Sequence, residues 1–168
     1  KILILGAGGV ARAVAILAAD RKAAQITLLN RTADRAVKVA EEVNGIAGRR
    51  IAEGKKLDTW SSLPEGERYL AIQATNVGMF PNVGEAVIED EAFYRKIHTG
   101  YDLVFNPAET KFMSKVEESG GRAFNGLKML LYQGIIAYEL WTGVRVDQEL
   151  AQKAYGAMKE AMGISDKG

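Results

Sequence analysis

The feature that most constrains this chain is a glycine loop set directly between an apolar run and a helical pattern. Ile2-Leu3-Ile4-Leu5 is apolar at every position, as in a strand buried on both faces of a parallel sheet. It ends at Gly6-Ala7-Gly8-Gly9-Val10-Ala11, a match to G-x-G-x-x-A. From Gly8 the spacing becomes helical, with Val10, Val14, Leu17 and Ala18 on one face. Each small residue then has a task. Gly6 permits a tight turn, Gly8 lets a diphosphate approach the backbone, and Ala11 lets helix and strand come close. The helix N-terminus adds unpaired N–H groups and a partial positive charge. The alternative is a glycine-rich turn with no ligand, which the agreement of strand, spacing and helix disfavours.

The second strand refines the ligand. It runs over Ile26-Thr27-Leu28-Leu29 and stops at Asn30. About 20 residues after the loop, an NAD site places Asp or Glu at this strand end to take the ribose 2′-hydroxyl. Here the end reads Asn30-Arg31-Thr32, with Arg35 one turn later. A carboxylate would repel a 2′-phosphate, whereas Arg pairs with it bidentately and stacks on adenine. Asn30 and Thr32 can add hydrogen bonds. The expected cofactor is therefore NADP rather than NAD. The plainer reading of Arg31 and Arg35 is two solvated surface charges.

Further elements follow in alternation. Helices are expected over Ala33 to Asn44 (stripe Ala36, Val37, Ala40, Val43; stop at Asn44-Gly45), Glu89 to Ile97, Thr110 to Ser119 and Leu127 to Thr142, with a last, amphipathic one over Asp147 to Met162. Thr110 is a suitable N-cap and Gly120-Gly121 a suitable stop. The helix over 127–142 is apolar nearly all round, which predicts cover on more than one side. Strands are expected around Ile51 and over Tyr69 to Ile72, Tyr101 to Phe105 and Arg122 to Phe124. The polar segment from Gly45 to Gly66 reads as an irregular excursion. Alternating strands and helices predict an α/β, Rossmann-type, doubly wound fold. Its six-stranded, mainly parallel sheet has the order 3-2-1-4-5-6, helices on both faces and added C-terminal helices.

Composition excludes other classes. The 168 residues suit one domain. A formal net charge of +1 gives no electrostatic case for nucleic acid or an anionic membrane. No apolar run approaches the roughly 20 residues of a membrane helix. The absence of cysteine rules out a disulfide scaffold and a thiolate zinc site, and it fits a reducing cytoplasm. One histidine, His98, cannot build a catalytic zinc site of histidines or a persuasive Ser-His triad, and it reads as a surface residue. No G-x-x-x-x-G-K-[ST] is present, which argues against a P-loop nucleotidase.

Several segments in order resemble the shikimate dehydrogenase family, specifically its C-terminal NADP-binding domain. They are Gly6-Ala7-Gly8-Gly9, Asn30-Arg31-Thr32, Ala74-Thr75-Asn76-Val77-Gly78-Met79, Tyr101 to Pro107 with Thr110, Asn125-Gly126-Leu127-Lys128-Met129-Leu130 with Gln133, and Glu139 to Gly143. The resemblance implies NADPH-dependent reduction of 3-dehydroshikimate to shikimate, on the route to aromatic amino acids. It implies that Gly6, Ala7, Gly8, Gly9 and Val10 hold the diphosphate, and that Asn30, Arg31, Thr32 and Arg35 hold the 2′-phosphate. Thr75, Asn76, Val77, Met79 and Leu103 would line the path to the nicotinamide. Gly126 and Met129 would lie beside it, and Gln133 would reach the substrate hydroxyls. Plain alternatives stand beside these roles: a core amide for Gln133, ordinary packing for Met129, a strand-end cap for Thr75, and a simple turn at Asn106-Pro107.

The sequence departs from the family pattern at three positions. Phe105 replaces a Tyr whose hydroxyl would contact substrate, Gln73 stands where Asn is common, and Asn76 where Pro is common. The family's catalytic Lys and Asp belong to an N-terminal substrate domain, so no catalytic residue is expected here. Lys128, Asp102 and Tyr132 are the acids or bases near the expected site, and the resemblance makes none of them catalytic. The chain begins at Lys1, without Met and already inside a strand, and is expected to be a piece of a longer protein. Residues 1–168 are read as one NADP-binding domain, with 147–168 turned toward the substrate domain. The stripe of Leu150, Ala154, Ala157, Met158 and Ala161 suggests a homodimer contact. Two other readings are a quinate/shikimate dehydrogenase of broader specificity and a standalone, non-catalytic nucleotide-binding module.

Overall fold

A computed structural model describes residues 1–164; the last four positions assigned to the C-terminal helix segment lie outside the described residues. Six strands, β1 (Ile2–Leu5), β2 (Ile26–Asn30), β3 (Ala52–Lys56), β4 (Tyr69–Gln73), β5 (Ile97–Asp102) and β6 (Arg122–Phe124), form one sheet. Its order is β3-β2-β1-β4-β5-β6 and every pairing is parallel. The helices are α1 (Gly9–Asp20), α2 (Ala33–Ala47), a single turn α3 (Glu91–Tyr94), α4 (Lys111–Glu118), α5 (Leu127–Thr142) and α6 (Gln148–Ala161). A 3-10 turn covers Leu57–Ser62. The expected doubly wound α/β architecture and strand order are both present.

The pleat of β1 divides the core in two. Ile4 faces α1 and α2 with Ala11, Ala15, Ala36 and Val43, while Leu3 and Leu5 face the other layer with Tyr69, Phe93, Tyr94 and Phe112. Strands β1 and β4 are neighbours although five elements (α1, β2, α2, β3 and the 3-10 turn) separate them, so the chain's two halves diverge from this line. In an open α/β sheet, ligands bind at the carboxyl ends of the strands at such a point.

Several expectations shift for identifiable reasons. On α1 the buried residues are Ala11, Ala15 and Ala18, whereas Val10 and Leu17 are exposed. Close contact between α1 and the sheet accepts methyl groups, so the larger side chains turn outward. Helix α2 runs past Asn44-Gly45 to Ala47 and ends at Gly48. The Asn44 amide does not end the helix. It accepts the N–H groups of Ile51 and Ala52, each at 2.8 Å, and donates to the Ala52 carbonyl at 2.9 Å, which sets the start of β3. The helix expected over 89–97 is only one turn, and Ile97 already belongs to β5. That strand closes at Asp102, so Leu103 to Phe105 have left the sheet. Only Leu127 and Leu131 of α5 are buried, contrary to the expected cover; Leu140 and Trp141 are 78% and 85% exposed.

Candidate functional site

A cleft of about 690 Å³ opens at the carboxyl ends of β1, β2, β4 and β5. Its floor is the glycine loop. Gly6 has φ +112°, and a Cβ there would come within 2.9 Å of the Ala74 carbonyl oxygen, so the fold itself requires glycine. Gly8 differs: a Cβ would meet nothing within 4 Å. As the N-cap residue of α1 it leaves open space through which a group from outside can approach the backbone. No side chain caps α1 and no acid occupies its first turn, so its first N–H groups and positive end face the cleft uncompensated. This is the donor set that a diphosphate fits.

One end of the cleft lies where β2 stops. Asn30 and Arg31 line the cleft, and the Asn30 amide donates to the Thr32 carbonyl at 2.9 Å, which shapes the turn. Arg31, Thr32 and Arg35 are exposed. Neither Arg has an ion-pair partner among the described residues. Leu57 and Val87 supply apolar surface on the same side.

The opposite end is built by the exits of β4 and β5. Thr75, Asn76, Val77 and Met79 form one wall; Leu103, Val104, Phe105 and Met129 form the other. A buried network holds both. The Gln73 side-chain oxygen Oε1 accepts the Thr75 N–H at 2.6 Å and the Thr75 hydroxyl at 2.7 Å. The Gln73 amide donates to the Val77 carbonyl at 3.0 Å and to Asp102 Oδ1 at 3.3 Å. Asp102 also accepts the Val104 N–H at 2.9 Å and the Thr110 hydroxyl at 2.6 Å. Burial pushes the Asp102 carboxyl up to about 6, against the three hydrogen bonds that favour its charged form. Thr75 thus does cap its strand end while lining the cleft. Asp102 is enclosed by its partners and is not available as an acid or base for a ligand.

Gly126 brings α5 to the site. A Cβ there would overlap the Leu103 carbonyl, so only glycine lets the helix start against the β5 exit. Met129, one turn later, reaches the cleft. Gln133, a further turn on, is exposed and outside the lining, so it is not a core amide; four residues from Met129, it shares that helix face. Gly9, Thr32, Arg35 and Gly126 also lie outside the lining. His98 is exposed on β5 with Nδ1 2.9 Å from the Thr99 hydroxyl. Sequence reasoning missed Leu29, Leu57, Ala74, Glu85, Ala86, Val87 and Val104 as lining residues. The short apolar run Ala86-Val87-Ile88 was the available signal for two of these residues.

Comparison with known proteins gives a consistent set of matches. The model described as shikimate / quinate 5-dehydrogenase matches residues 1–57. The model described as shikimate 5′-dehydrogenase C-terminal domain matches residues 126–154. A shikimate dehydrogenase (NADP(+)) of Carboxydothermus hydrogenoformans is 38% identical over 156 residues, covering 93% of this chain and 54% of that protein. A solved shikimate dehydrogenase in complex with NADP+ gives a TM-score of 0.76 at 32% identity, over 94% of this chain and 54% of the other. Shikimate 5-dehydrogenase from Listeria monocytogenes, in complex with shikimate and NAD, gives 0.78 at 30% identity, over 92% and 55%. The chain spans about half the length of the curated relatives it matches.

Proposed function

We propose that this chain, whose matches are to the shikimate dehydrogenase family, is the NADP(H)-binding part of an enzyme that reduces 3-dehydroshikimate to shikimate. The observation that carries the cofactor choice is the Asn30-Arg31-Thr32 turn. It places an unpaired guanidinium, and no carboxylate, at the end of β2. The open approach at Gly8 and the uncapped α1 receive the diphosphate. A bound reduced nicotinamide supplies the hydride. The residues of this chain position and shield it: the 75–79 turn and Leu103 from two sides, and Met129 from α5, whose start against Leu103 depends on Gly126. Phe105 gives the substrate apolar contact where a tyrosine would donate a hydrogen bond, and Gln133 reaches it from α5.

The 168 residues alone bind NADP(H) without turning over 3-dehydroshikimate. Among the described residues the cleft lining contains no lysine, histidine or aspartate, and its one acid is Glu85. Orienting and protonating the substrate carbonyl therefore falls to groups of the family's substrate domain. Residues 1–168 form the NADP-binding domain, and the exposed apolar side chains of α5 and α6 turn toward that substrate domain; in the isolated chain they favour a homodimer. Static light scattering at rising concentration tests this, and a monomer throughout counts against it.

Titration of the purified chain with NADPH and with NADH, followed by cofactor fluorescence, tests the central reading. NADPH should bind at least tenfold more tightly; equal affinities would overturn the cofactor assignment. A second reading, broader specificity including quinate, is favoured by the description of the model matched at residues 1–57, which names both substrates. Quinate oxidation assayed on the full-length protein decides it.

A further inference from the structure

We propose that Lys56 is a second specificity-determining cation for the 2′-phosphate, held in readiness by Asp58. The inference rests on the NADP reading above and names a residue that reading does not include. In the parallel register of β2 and β3, Lys56 stands directly opposite Asn30, the residue before Arg31. Paired strands lie about 4.8 Å apart, so the two cations project from neighbouring strand ends. Both line one hollow of about 450 Å³ that adjoins the cofactor cleft and shares Arg31, Leu57 and Val87 with it.

The state of the charges around this hollow singles out Lys56. Glu89 is engaged by Lys111 and Lys115. Asp90 caps α3 by accepting the Ala92 N–H at 2.8 Å. Arg31 has no ion-pair partner among the described residues. Lys56 contacts Asp58, Nζ to Oδ2 at 2.6 Å, and the two side chains are 58% and 63% exposed. An exposed pair of this kind holds its members weakly. A phosphate brings close to two negative charges and three acceptor oxygens, more than one guanidinium satisfies. Lysine is a compact point charge on a flexible stem, suited to turn from the carboxylate to that phosphate. Asp58 then sets how much the exchange yields: it competes for Lys56 and repels the incoming anion.

The experiment uses the 168-residue chain and two single variants, Lys56→Gln and Asp58→Asn, titrated with NADPH and NADH. Both positions are exposed, and neither change removes a buried contact. K56Q should raise the Kd for NADPH by about fivefold to tenfold, the worth of one charge-assisted contact in a solvated site, and leave that for NADH within about twofold. D58N should lower the Kd for NADPH a few-fold without a matching gain for NADH. A K56Q chain with an unchanged NADPH-to-NADH ratio, or variants that shift both cofactors alike, would overturn the proposal and leave Lys56–Asp58 as a local turn contact. If the unaltered chain shows no preference for NADPH, the NADP reading itself has failed. If it shows the preference and K56Q does not reduce it, only the role of Lys56 has failed.

Discussion

Gln73 and Asp102 stand opposite each other on β4 and β5, and each is fully buried. The amide of one donates to the carboxylate of the other at 3.3 Å. From this pair the contacts diverge: Gln73 holds the Thr75–Val77 turn, and Asp102 holds Val104 and Thr110. The two walls at this end of the cleft are therefore not independent loops. They are set by one polar group of contacts in which every buried side-chain atom has a partner among the described residues.

Thr110 is the outermost member and the simplest to remove. Its hydroxyl donates to Asp102 and accepts the Met113 N–H at 3.3 Å, capping α4. Thr110→Val keeps the shape and deletes both contacts. It should cost about 2–4 kcal/mol, the sum of a lost cap and a buried carboxylate short of one donor. Urea unfolding measures this.

The raised carboxyl of Asp102 gives a pH dependence of definite sign. Its folded value of about 6 exceeds the ordinary 3.8, so the folded state holds the proton more tightly. Below about pH 4 the group is neutral in both states. As pH rises toward 6, burying the charge costs stability, in total roughly 3 kcal/mol at 1.36 kcal/mol per unit. Asp102→Asn removes the slope. The stability of the unaltered chain relative to D102N should thus fall between pH 4 and pH 6 and then level off. Urea midpoints across that range that rise together, with no change in the difference, would refute it.

Two glycines separate fold from site. Gly126→Ala forces a methyl group into the Leu103 carbonyl and should cost about 1–3 kcal/mol while displacing α5. Gly8→Ala meets no protein atom and should leave stability within about 1 kcal/mol. Yet it should weaken NADPH and NADH alike by at least about tenfold, since both carry the diphosphate. Thermal unfolding and cofactor titration on the same preparations distinguish the two.

Arg31 should act on one cofactor only. Arg31→Ser is expected to raise the Kd for NADPH by about 10–100-fold, with little change for NADH. The unaltered chain should lose NADPH affinity with added salt more steeply than R31S does, because an exposed cation–phosphate contact is screened.

The strands carrying the site were legible because burial on both faces writes a continuous apolar run, as in β1 and β2. The turn proposed to take the 2′-phosphate is readable in sequence because its chemistry is local: Asn30 closes β2 and Arg31, Thr32 and Arg35 follow it directly. Other features depend on partners distant in sequence. Val10 and Leu17 outweigh Ala11 and Ala15 in apolarity, yet the narrow gap between α1 and the sheet selects the alanines. Phe93, Tyr94 and Ile97 have helical spacing, but Ile97 pairs with Tyr69 as the first residue of β5. Asn44 resembles a helix stop until β3 arrives to use its amide. Gln73 closes the apolar strand β4, and Asp102 closes β5, which also carries His98 and Thr99. Nothing in either segment reveals that they face each other; that follows only from the sheet order.

The Gln73–Asp102 group has one more consequence. The N–H groups of Thr75, Val77, Val104 and Met113 each donate to a side-chain oxygen within it. Their shielding from solvent protons thus depends on four side chains keeping their rotamers together. Once Gln73 swings away, the partners of the rest lose their anchors in turn. Deuterium should then enter all four amides through a common opening event, with one rate, although three separate elements carry them.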